Sequence, residues 1–219
     1  MRLPQLDERL QKAAKFFPAC AYGADIGADH GRLSCFLLAK NRCERMCVSD
    51  LSAPSLEKAK RLIAMHGMAE RADFRVGNGL MVLQEKADAM AVLGMGGKTI
   101  AQIITEGKEK LQGAALILSA HTEVHLLRKA IENISYRIEK EDIAHAGGRF
   151  YIIIRAVPGN EQLNEEQLLI GPRLMEEGSE HYMAYLSWRR DVLRLENSDA
   201  GRLHLKMIEE EMERAGKSE

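Results

Sequence analysis

The chain has 219 residues, of which 46% are hydrophobic and 29% are charged, and its formal net charge is −1 at pH 7. These values are ordinary for a globular protein and exclude an intrinsically disordered chain. No apolar run approaches the ~18 residues that a transmembrane helix needs. The charged N-terminal stretch MRLPQLDERLQKAAKFF lacks the apolar core of a signal peptide, and the four cysteines fit free thiols. We therefore expect a cytoplasmic protein without a membrane partner.

Strands and helices alternate through the first part of the chain. A short amphipathic helix is predicted over residues 6–17 and ends at Pro18. Strands are predicted at 21–27, 45–50, 72–79, 87–97 and 113–120, and helices at 31–40, 53–67, 98–108 and 122–134. Repeated strand–helix units favour an α/β fold, in which a parallel sheet is covered on both faces.

The pattern changes after residue 135. Two strands at 136–146 and 148–157, joined through Gly147-Gly148, are predicted to form an antiparallel β-hairpin at the end of the sheet. Two helices are then predicted at 168–195 and 201–215, and they are expected to pair as an antiparallel helical hairpin.

The break at Pro158-Gly159-Asn160 divides the chain into an expected sheet domain, residues 1–158, and an expected helical domain, residues 159–219. Charge differs between the two parts, since residues 1–159 carry 23 Lys/Arg and 18 Asp/Glu, whereas residues 160–219 carry 8 and 14. A helical hairpin can close on itself or pair with a copy, so the oligomeric state stays open and a monomer is compatible with the sequence.

Three polar motifs follow three consecutive predicted strands. The first is Asp25-Ile26-Gly27-x-x-x-Gly31, the second is Asp50, and the third is Gly77-Asn78-Gly79. Ligands bind at the carboxyl ends of parallel strands, where an acid after the second strand can accept hydrogen bonds from both ribose hydroxyls. The order of the motifs predicts an adenosine-containing cofactor, and Leu51, beside Asp50, is assigned to the same site.

The first motif lacks the middle glycine of a dinucleotide-binding loop, because Asp29 stands there. A carboxylate at that position would repel a pyrophosphate. S-adenosylmethionine has no phosphate and carries a sulfonium cation, for which a nearby carboxylate is favourable. The loop therefore predicts S-adenosylmethionine rather than NAD.

A glycine-rich stretch, Leu93-Gly94-Met95-Gly96-Gly97, follows the fourth strand. Its glycines remove side-chain bulk, so that a planar acceptor ring could approach the backbone closely. A tight turn into the helix at Lys98 explains the same pattern equally well, and both interpretations stay open.

The order of these motifs resembles that of a known family. Over nearly its whole length the chain resembles the bacterial tRNA adenine-N1 methyltransferases of the TrmK type. The resemblance lies in the order of DIGADHGRL, an acid after the second strand, GNGL, LGMGG and a C-terminal GPxL before two long helices. The resemblance implies a class I methyltransferase (Rossmann-like) sheet and S-adenosylmethionine-dependent methylation of N1 of adenine 22 in tRNA. The chain departs from the family at Gly77-Asn78-Gly79, where the family has Gly-Asp-Gly, and at residues 119–122 (SAHT), where it has a Gln-Pro-Asn-like stretch.

Under this hypothesis Asp29 stabilises the methylated adenine and takes a proton from its exocyclic amine, and His30 orients Asp29 or lines the pocket. The alternative for Asp29 is a cap on the helix that starts near Gly31. Cofactor contacts are assigned to Asp25, Ile26, Gly27, Asp29, Gly31, Asp50, Leu51, Gly77, Asn78, Gly79 and Gly94. Acceptor and RNA contacts are assigned to Met95, Gly96, Gly97, Lys98, His121, Lys12, Lys15, Arg32 and Arg149. Each of the cations could instead be a solvated surface charge.

Two other functions stay open. The first is a methyltransferase of the same fold that acts on another RNA, a protein or a small molecule, which the changed loop at 119–122 would favour. The second is a non-catalytic protein that binds RNA or a partner. No metal is expected, because Cys43 and Cys47 lack further ligands, and His121 and His125, four apart on a predicted helix, lack a third. Trp188 is expected to pack between the two C-terminal helices.

Overall fold

The computed structural model describes residues 3–217, so that the outer ends of the two expected domains, residues 1–2 and 218–219, lie outside the described residues. Seven strands form one sheet: β1 (Cys20–Ile26), β2 (Cys43–Asp50), β3 (Ala72–Val76), β4 (Ala89–Met95), β5 (Ala115–Ala120), β6 (Tyr136–Ala146) and β7 (Arg149–Pro158). Their order across the sheet is β3-β2-β1-β4-β5-β7-β6. Strands β1 to β5 are parallel, whereas β7 runs antiparallel to both β5 and β6.

Helices cover both faces of this sheet. They are α1 (Glu8–Phe16), α2 (Arg32–Ala39), α3 (Ala53–Met65), α4 (Gly97–Glu106), α5 (Lys108–Leu111), α6 (Val124–Asn133), α7 (Glu165–Ile170), α8 (Pro172–Glu177), α9 (Tyr182–Leu193) and α10 (Asp199–Ala215). One apolar core lies under α1, α2 and α3 and contains Phe17, Leu37 and Ile63. The other lies under the later helices and contains Ile100 and Leu127. Burying such a side chain stabilises the fold by about 1.5–3 kcal/mol relative to leaving it exposed.

Local capping signals explain where several helices begin. The Asp7 carboxylate accepts a hydrogen bond of 2.9 Å from the Leu10 N–H at the start of α1. Ser52 accepts one of 3.2 Å from the Ser55 N–H at the start of α3, where a proline occupies the first turn. Such caps satisfy N–H groups that have no partner within the helix.

The predicted fold class is confirmed, including the antiparallel hairpin at the end of a mostly parallel sheet. The prediction of a single helix over 168–195 is wrong, because three separate helices, α7, α8 and α9, cover residues 165–193. Gly171, with φ at +122°, precedes Pro172, and Gly178, with φ at +70°, ends α8. Neither backbone conformation can continue an α-helix, so α7, α8 and α9 change direction at these residues.

The last two helices, α9 and α10, pack as a helical hairpin. The Tyr182 hydroxyl at the start of α9 donates a hydrogen bond of 2.6 Å to Glu211 near the end of α10. Leu186 of α9 and Ile208 of α10 are buried, whereas Leu203 of α10 is 48% exposed. The division of the chain into two domains at residue 158 stays a prediction.

A buried ion pair attaches the C-terminal helices to the sheet. The Arg128 guanidinium donates a hydrogen bond of 2.8 Å to Glu141, and both side chains are 0% exposed. Arg128 also donates to the carbonyl oxygens of residues 168, 169 and 170 at 2.9 to 3.1 Å. The carboxyl end of α7 is therefore held by one arginine of α6, since these carbonyls would otherwise have no partner within the helix.

Candidate functional site

The carboxyl ends of β1, β2 and β4 meet at one edge of the sheet. The Asp50 carboxylate joins the loop after β1 to the end of β2. Asp50 ends β2, and one of its oxygens accepts a hydrogen bond of 2.9 Å from the Asp29 N–H. The other oxygen accepts one of 2.8 Å from the Ser52 N–H. Asp50 thus holds the loop after β1 next to the end of β2, and its carboxylate oxygens retain lone pairs that can bind a ligand.

Two cavities lie along this edge and share Gly27, Asp29, Leu93 and Gly94 as common walls. The first has a volume of about 430 Å³ and is also lined by Asp25, His30, Arg32, His121 and residues of α1. The second has a volume of about 360 Å³ and is also lined by Ile26, Asp50, Leu51, Gly77, Asn78, Gly79 and Met95. The structure therefore brings together, around two adjoining cavities, ten of the eleven residues assigned to the cofactor; Gly31 lines neither.

Asp25 is the buried acid of the site, and its pKa is shifted. It is only 4% exposed, and the Ser34 hydroxyl donates a hydrogen bond of 2.6 Å to its carboxylate. Burial raises the pKa of Asp25 from 3.8 to about 6, against the lowering effect of the bonds from Ser34. A cation bound in the first cavity would stabilise the ionised form of this side chain.

Asp29 does not cap the following helix. Gly31 is the N-cap residue of α2, and no side chain caps that helix. The Asp29 backbone has φ at +48°, and its side chain is 71% exposed with one oxygen 3.6 Å from His30 Nε2. A non-glycine residue in the left-handed conformation costs of order 1–3 kcal/mol, and Asp and Asn adopt it more readily than other residues do. The same histidine nitrogen lies 3.2 Å from Lys58 Nζ, a neighbour from α3 that the sequence analysis missed.

The glycines of the fourth strand's loop have different surroundings. A Cβ on Gly94, where φ is +79°, would lie 3.3 Å from Arg9 Nη1 and 3.8 Å from His121 Nε2, so this glycine sits between two polar side chains of the first cavity. A Cβ on Gly97 would lie 2.2 Å from the Glu123 carbonyl oxygen. Gly97 is buried, and the start of α4 packs there against the loop after β5. At Gly97 the structure thus agrees with a tight turn into the helix rather than with an open surface for an acceptor ring. Gly96 is half-buried, and Lys98 is exposed in the first turn of α4.

The N-terminal helix supplies a wall of the first cavity that no local motif indicated. Arg9 Cζ lies 5.4 Å from the centre of the Tyr151 ring, a cation–π distance. The His121 ring meets the same tyrosine edge-on at 5.5 Å. Arg9, His121 and Tyr151 come from α1, the loop after β5 and β7, so residues distant in sequence form one polar and aromatic group beside Gly94.

The cations assigned to RNA have different positions. Lys12 Nζ donates to the Asp142 carboxylate at 2.9 Å and to the Ile143 carbonyl at 2.7 Å, and its side chain is only 15% exposed. It attaches α1 to β6 and does not reach a surface phosphate. Arg32 is exposed and lines the first cavity. Lys15 and Arg149 are exposed outside both cavities.

The two histidines considered as metal ligands do not share a helix, because α6 begins at Val124 and leaves His121 in the preceding loop. Within residues 3–217, no three His, Cys, Asp or Glu side chains come together as a potential metal site. The four cysteines are free thiols. None of the helices in that same range is long and apolar enough to cross a bilayer.

A family model and a sequence relative identify the family of this chain. The family model described as TrmK, tRNA (adenine(22)-N(1))-methyltransferase, matches residues 23–216. The tRNA (adenine(22)-N(1))-methyltransferase of Bacillus subtilis is 30% identical over 181 residues, which are 79% of this chain and 76% of that protein. The crystal structure of B. subtilis TrmK superposes with a TM-score of 0.81 at 26% identity and 97% coverage of both chains. A Streptococcus pneumoniae protein solved in complex with S-adenosyl-L-methionine superposes with a TM-score of 0.89 at 26% identity, over 95% of this chain and 100% of that one.

Proposed function

The chain belongs to the TrmK family of tRNA (adenine(22)-N(1))-methyltransferases, and from this membership we propose that it transfers a methyl group from S-adenosylmethionine to N1 of adenine 22 in tRNA. The observation that carries the proposal is the pair of cavities that meet at Gly27, Asp29 and Gly94. One of them is lined by the adenosine motifs. The other contains the buried Asp25 and the exposed Asp29 and reaches the polar group around His121.

The residues of the two cavities fit S-adenosylmethionine better than a dinucleotide. The second cavity is lined by the carboxylates of Asp29, Asp50 and Glu106, and no lysine or arginine of the described chain lines it. Such a wall suits an adenosine without phosphate groups. Asp50 with Leu51 and the segment 77–79 would hold the adenosine, and Asp25 in the first cavity would face a cationic group. When bound, S-adenosylmethionine supplies a methyl group activated by a sulfonium cation.

The chain's own contribution to the reaction is orientation and charge. N1 of adenine carries a lone pair, so the enzyme needs no strong base to activate it, and correct orientation can contribute on the order of 7–11 kcal/mol. After N1 has bonded to the methyl carbon the ring is cationic until its exocyclic amine loses a proton. In this proposal the Asp29 carboxylate, which is exposed, accepts a hydrogen bond from that amine and then its proton. His30, between Lys58 and Asp29, positions the carboxylate.

We also propose that Arg9 and His121, which lie next to Gly94 in the first cavity, form a wall for the acceptor base. Tyr151 packs against both of these side chains. An adenine of a folded tRNA must be turned out of its stack, at a cost of a few kcal/mol, before its N1 is accessible. Aromatic and guanidinium planes beside the cavity offset part of this cost by stacking on the base. Because the lone pair of N1 needs no Lewis acid, the proposed reaction requires no metal, and we place it in the cytoplasm with its tRNA substrate.

The test is transfer of labelled methyl groups from S-adenosylmethionine to unmodified tRNA, followed by nucleoside analysis. We expect N1-methyladenosine in tRNA and none in the same tRNA with guanine at position 22. Asp29→Asn should lower kcat by at least about tenfold with cofactor affinity retained. Glu57→Gln, which removes an exposed carboxylate of α3, is the matched control and should leave kcat unchanged. Label in another nucleoside would overturn the proposed substrate, and full activity of Asp29→Asn would overturn the role of Asp29.

A further inference from the structure

A third cavity, of about 330 Å³, lies between the loop after β5 and the C-terminal helices. It is lined by Thr122 and His125 on one side and by Trp188, Arg189 and His204 on the other. His121 lines both this cavity and the first one, so the two are neighbours across a single side chain. Whatever occupies the third cavity is therefore adjacent to the acceptor group.

Trp188 is the most unusual residue of this cavity. The ring lies 5.8 Å from Phe150 and 6.0 Å from Tyr185, measured between ring centres, yet the residue remains 41% exposed. The expected packing between the C-terminal helices would have buried it. Instead, aromatic neighbours support the indole and leave part of it lining a cavity. A rigid, supported aromatic surface of this kind is the platform on which nucleobases stack.

The charges of the cavity fit a nucleotide. Arg189 Cζ lies 6.0 Å from the Trp188 ring, and Arg189 has no carboxylate partner within residues 3–217. The other two arginines of this segment, Arg190 and Arg194, are paired with Asp191 and Glu209. One free guanidinium beside an aromatic ring can hold a phosphodiester next to a stacked base.

The other polar groups that line the cavity are of mixed charge. The rings of His125 and His204 lie 6.5 Å apart. Burial lowers the pKa of His125, and the nearby His204 and Arg189 lower it further, although Glu123 acts in the opposite sense. Glu123 and Glu196 also line the cavity, and their oxygens can accept hydrogen bonds from the amino groups of a base. A bare phosphate would meet these carboxylates unfavourably, whereas a nucleobase uses both kinds of group.

We propose that this cavity, the flanking-base pocket, binds an unpaired nucleobase of the substrate tRNA adjacent to the adenine that is methylated. The base stacks on Trp188, and its phosphodiester contacts Arg189. This inference rests on the proposed function, because it assigns a second RNA contact to the same site. It gives the C-terminal helices a direct part in choosing the nucleotide that enters the first cavity.

Trp188 is the one tryptophan of the chain, so its fluorescence reports on the pocket directly and needs no turnover. The enzyme, saturated with S-adenosylhomocysteine, is titrated with a tRNA transcript and with transcripts that lack the base on either side of adenine 22. We expect quenching by the intact transcript and its loss with one of the two abasic transcripts. Emission that is unchanged by the intact transcript would overturn the inference.

Kinetics separate this inference from the proposed function. Trp188→Ala should raise KM for tRNA by about tenfold with kcat within about twofold, and Trp188→Phe should restore most of the affinity by stacking. Arg189→Gln should raise KM less and should reduce the salt dependence of binding. Leu203→Ala, on the exposed side of α10, is the control. If Trp188→Ala methylates adenine 22 with an unchanged KM for tRNA, the flanking-base pocket is refuted and the proposed function stands. If the unaltered enzyme does not methylate tRNA, the proposed function is refuted, and the fluorescence titration still decides whether the pocket binds a base.

Discussion

Replacing Asp25 by asparagine should make the ligand-free protein more stable and the cofactor complex weaker. The side chain is 4% exposed, and its pKa is raised from 3.8 to about 6 because burial penalises the ionised form. Each pKa unit corresponds to about 1.4 kcal/mol. The ionised carboxylate therefore costs the folded state about 3 kcal/mol at neutral pH, and Asp25→Asn removes this cost while an amide oxygen can still accept the Ser34 hydrogen bond.

The pH dependence of this effect has a definite sign. Above about pH 6 the carboxyl is ionised in both the folded and the unfolded chain, and the full cost applies. Between 3.8 and about 6 the folded chain binds the proton while the unfolded chain does not, so the cost falls as pH falls. The advantage of Asp25→Asn should be about 3 kcal/mol near neutral pH, roughly half of that at about pH 5, and absent at lower pH.

Urea unfolding of the parent protein and of Asp25→Asn at these pH values measures the difference in the free energy of unfolding. Titration calorimetry with S-adenosylmethionine measures the loss of affinity in the variant, which we expect to be tenfold or more, about 1.4 kcal/mol. Asp142→Asn is the control of opposite sign. Burial alone would raise the pKa of Asp142, but hydrogen bonds from Lys12 and Ser179 bring it below its usual value, so this variant should lose stability. The reasoning is refuted if Asp25→Asn is no more stable than the parent at neutral pH, or if its advantage is undiminished at about pH 5.

Two further predictions concern charges that look alike in the sequence. Glu141→Ala should lower the free energy of unfolding by about 3–5 kcal/mol, because the buried Arg128 loses its partner. Glu139→Gln removes a partly exposed ion pair with Arg155 and should lower it by less than about 1 kcal/mol. Equal losses for the two variants in urea unfolding would contradict this reasoning. Lys12→Met should lower stability without changing the slope of tRNA binding against salt concentration, whereas Arg32→Gln should reduce that slope. A smaller salt slope in Lys12→Met would show that Lys12 contacts RNA after all.

The parallel sheet could be predicted because its signals are local. Alternating strand and helix patterns imply crossover connections, and the glycine pair at 147–148 marks a hairpin, so the sequence indicates both parts of the sheet. The motifs at the strand ends come together for the same reason, since carboxyl ends of parallel strands share one edge. The break of the C-terminal helix was also visible as Gly171-Pro172, but helical periodicity on both sides outweighed it in the prediction.

The contacts that depend on distant segments could not be predicted in this way. Lys12 is a cation on an amphipathic helix, and nothing near it in sequence indicates that its partner, Asp142, lies on β6. Arg9 reads as another charge on the same helix, although it reaches Tyr151 and the Gly94 loop. Tertiary packing decides which charges of a helix become buried partners, which line a cavity and which remain in solvent. A single sequence carries little information on that choice.

The carboxylates at this edge of the sheet explain why affinity and stability are opposed at Asp25. Asp50 is satisfied by two backbone N–H donors, from Asp29 and Ser52, whereas Asp25 is buried and further disfavoured as an anion by the charge of Asp50. A cation in the first cavity removes this unfavourable energy only while it is bound. The ligand-free chain therefore bears an energetic cost at Asp25, the side chain that we propose faces the cation of the cofactor. A substitution that relieves the cost in the free protein must also remove part of the free energy that drives cofactor binding.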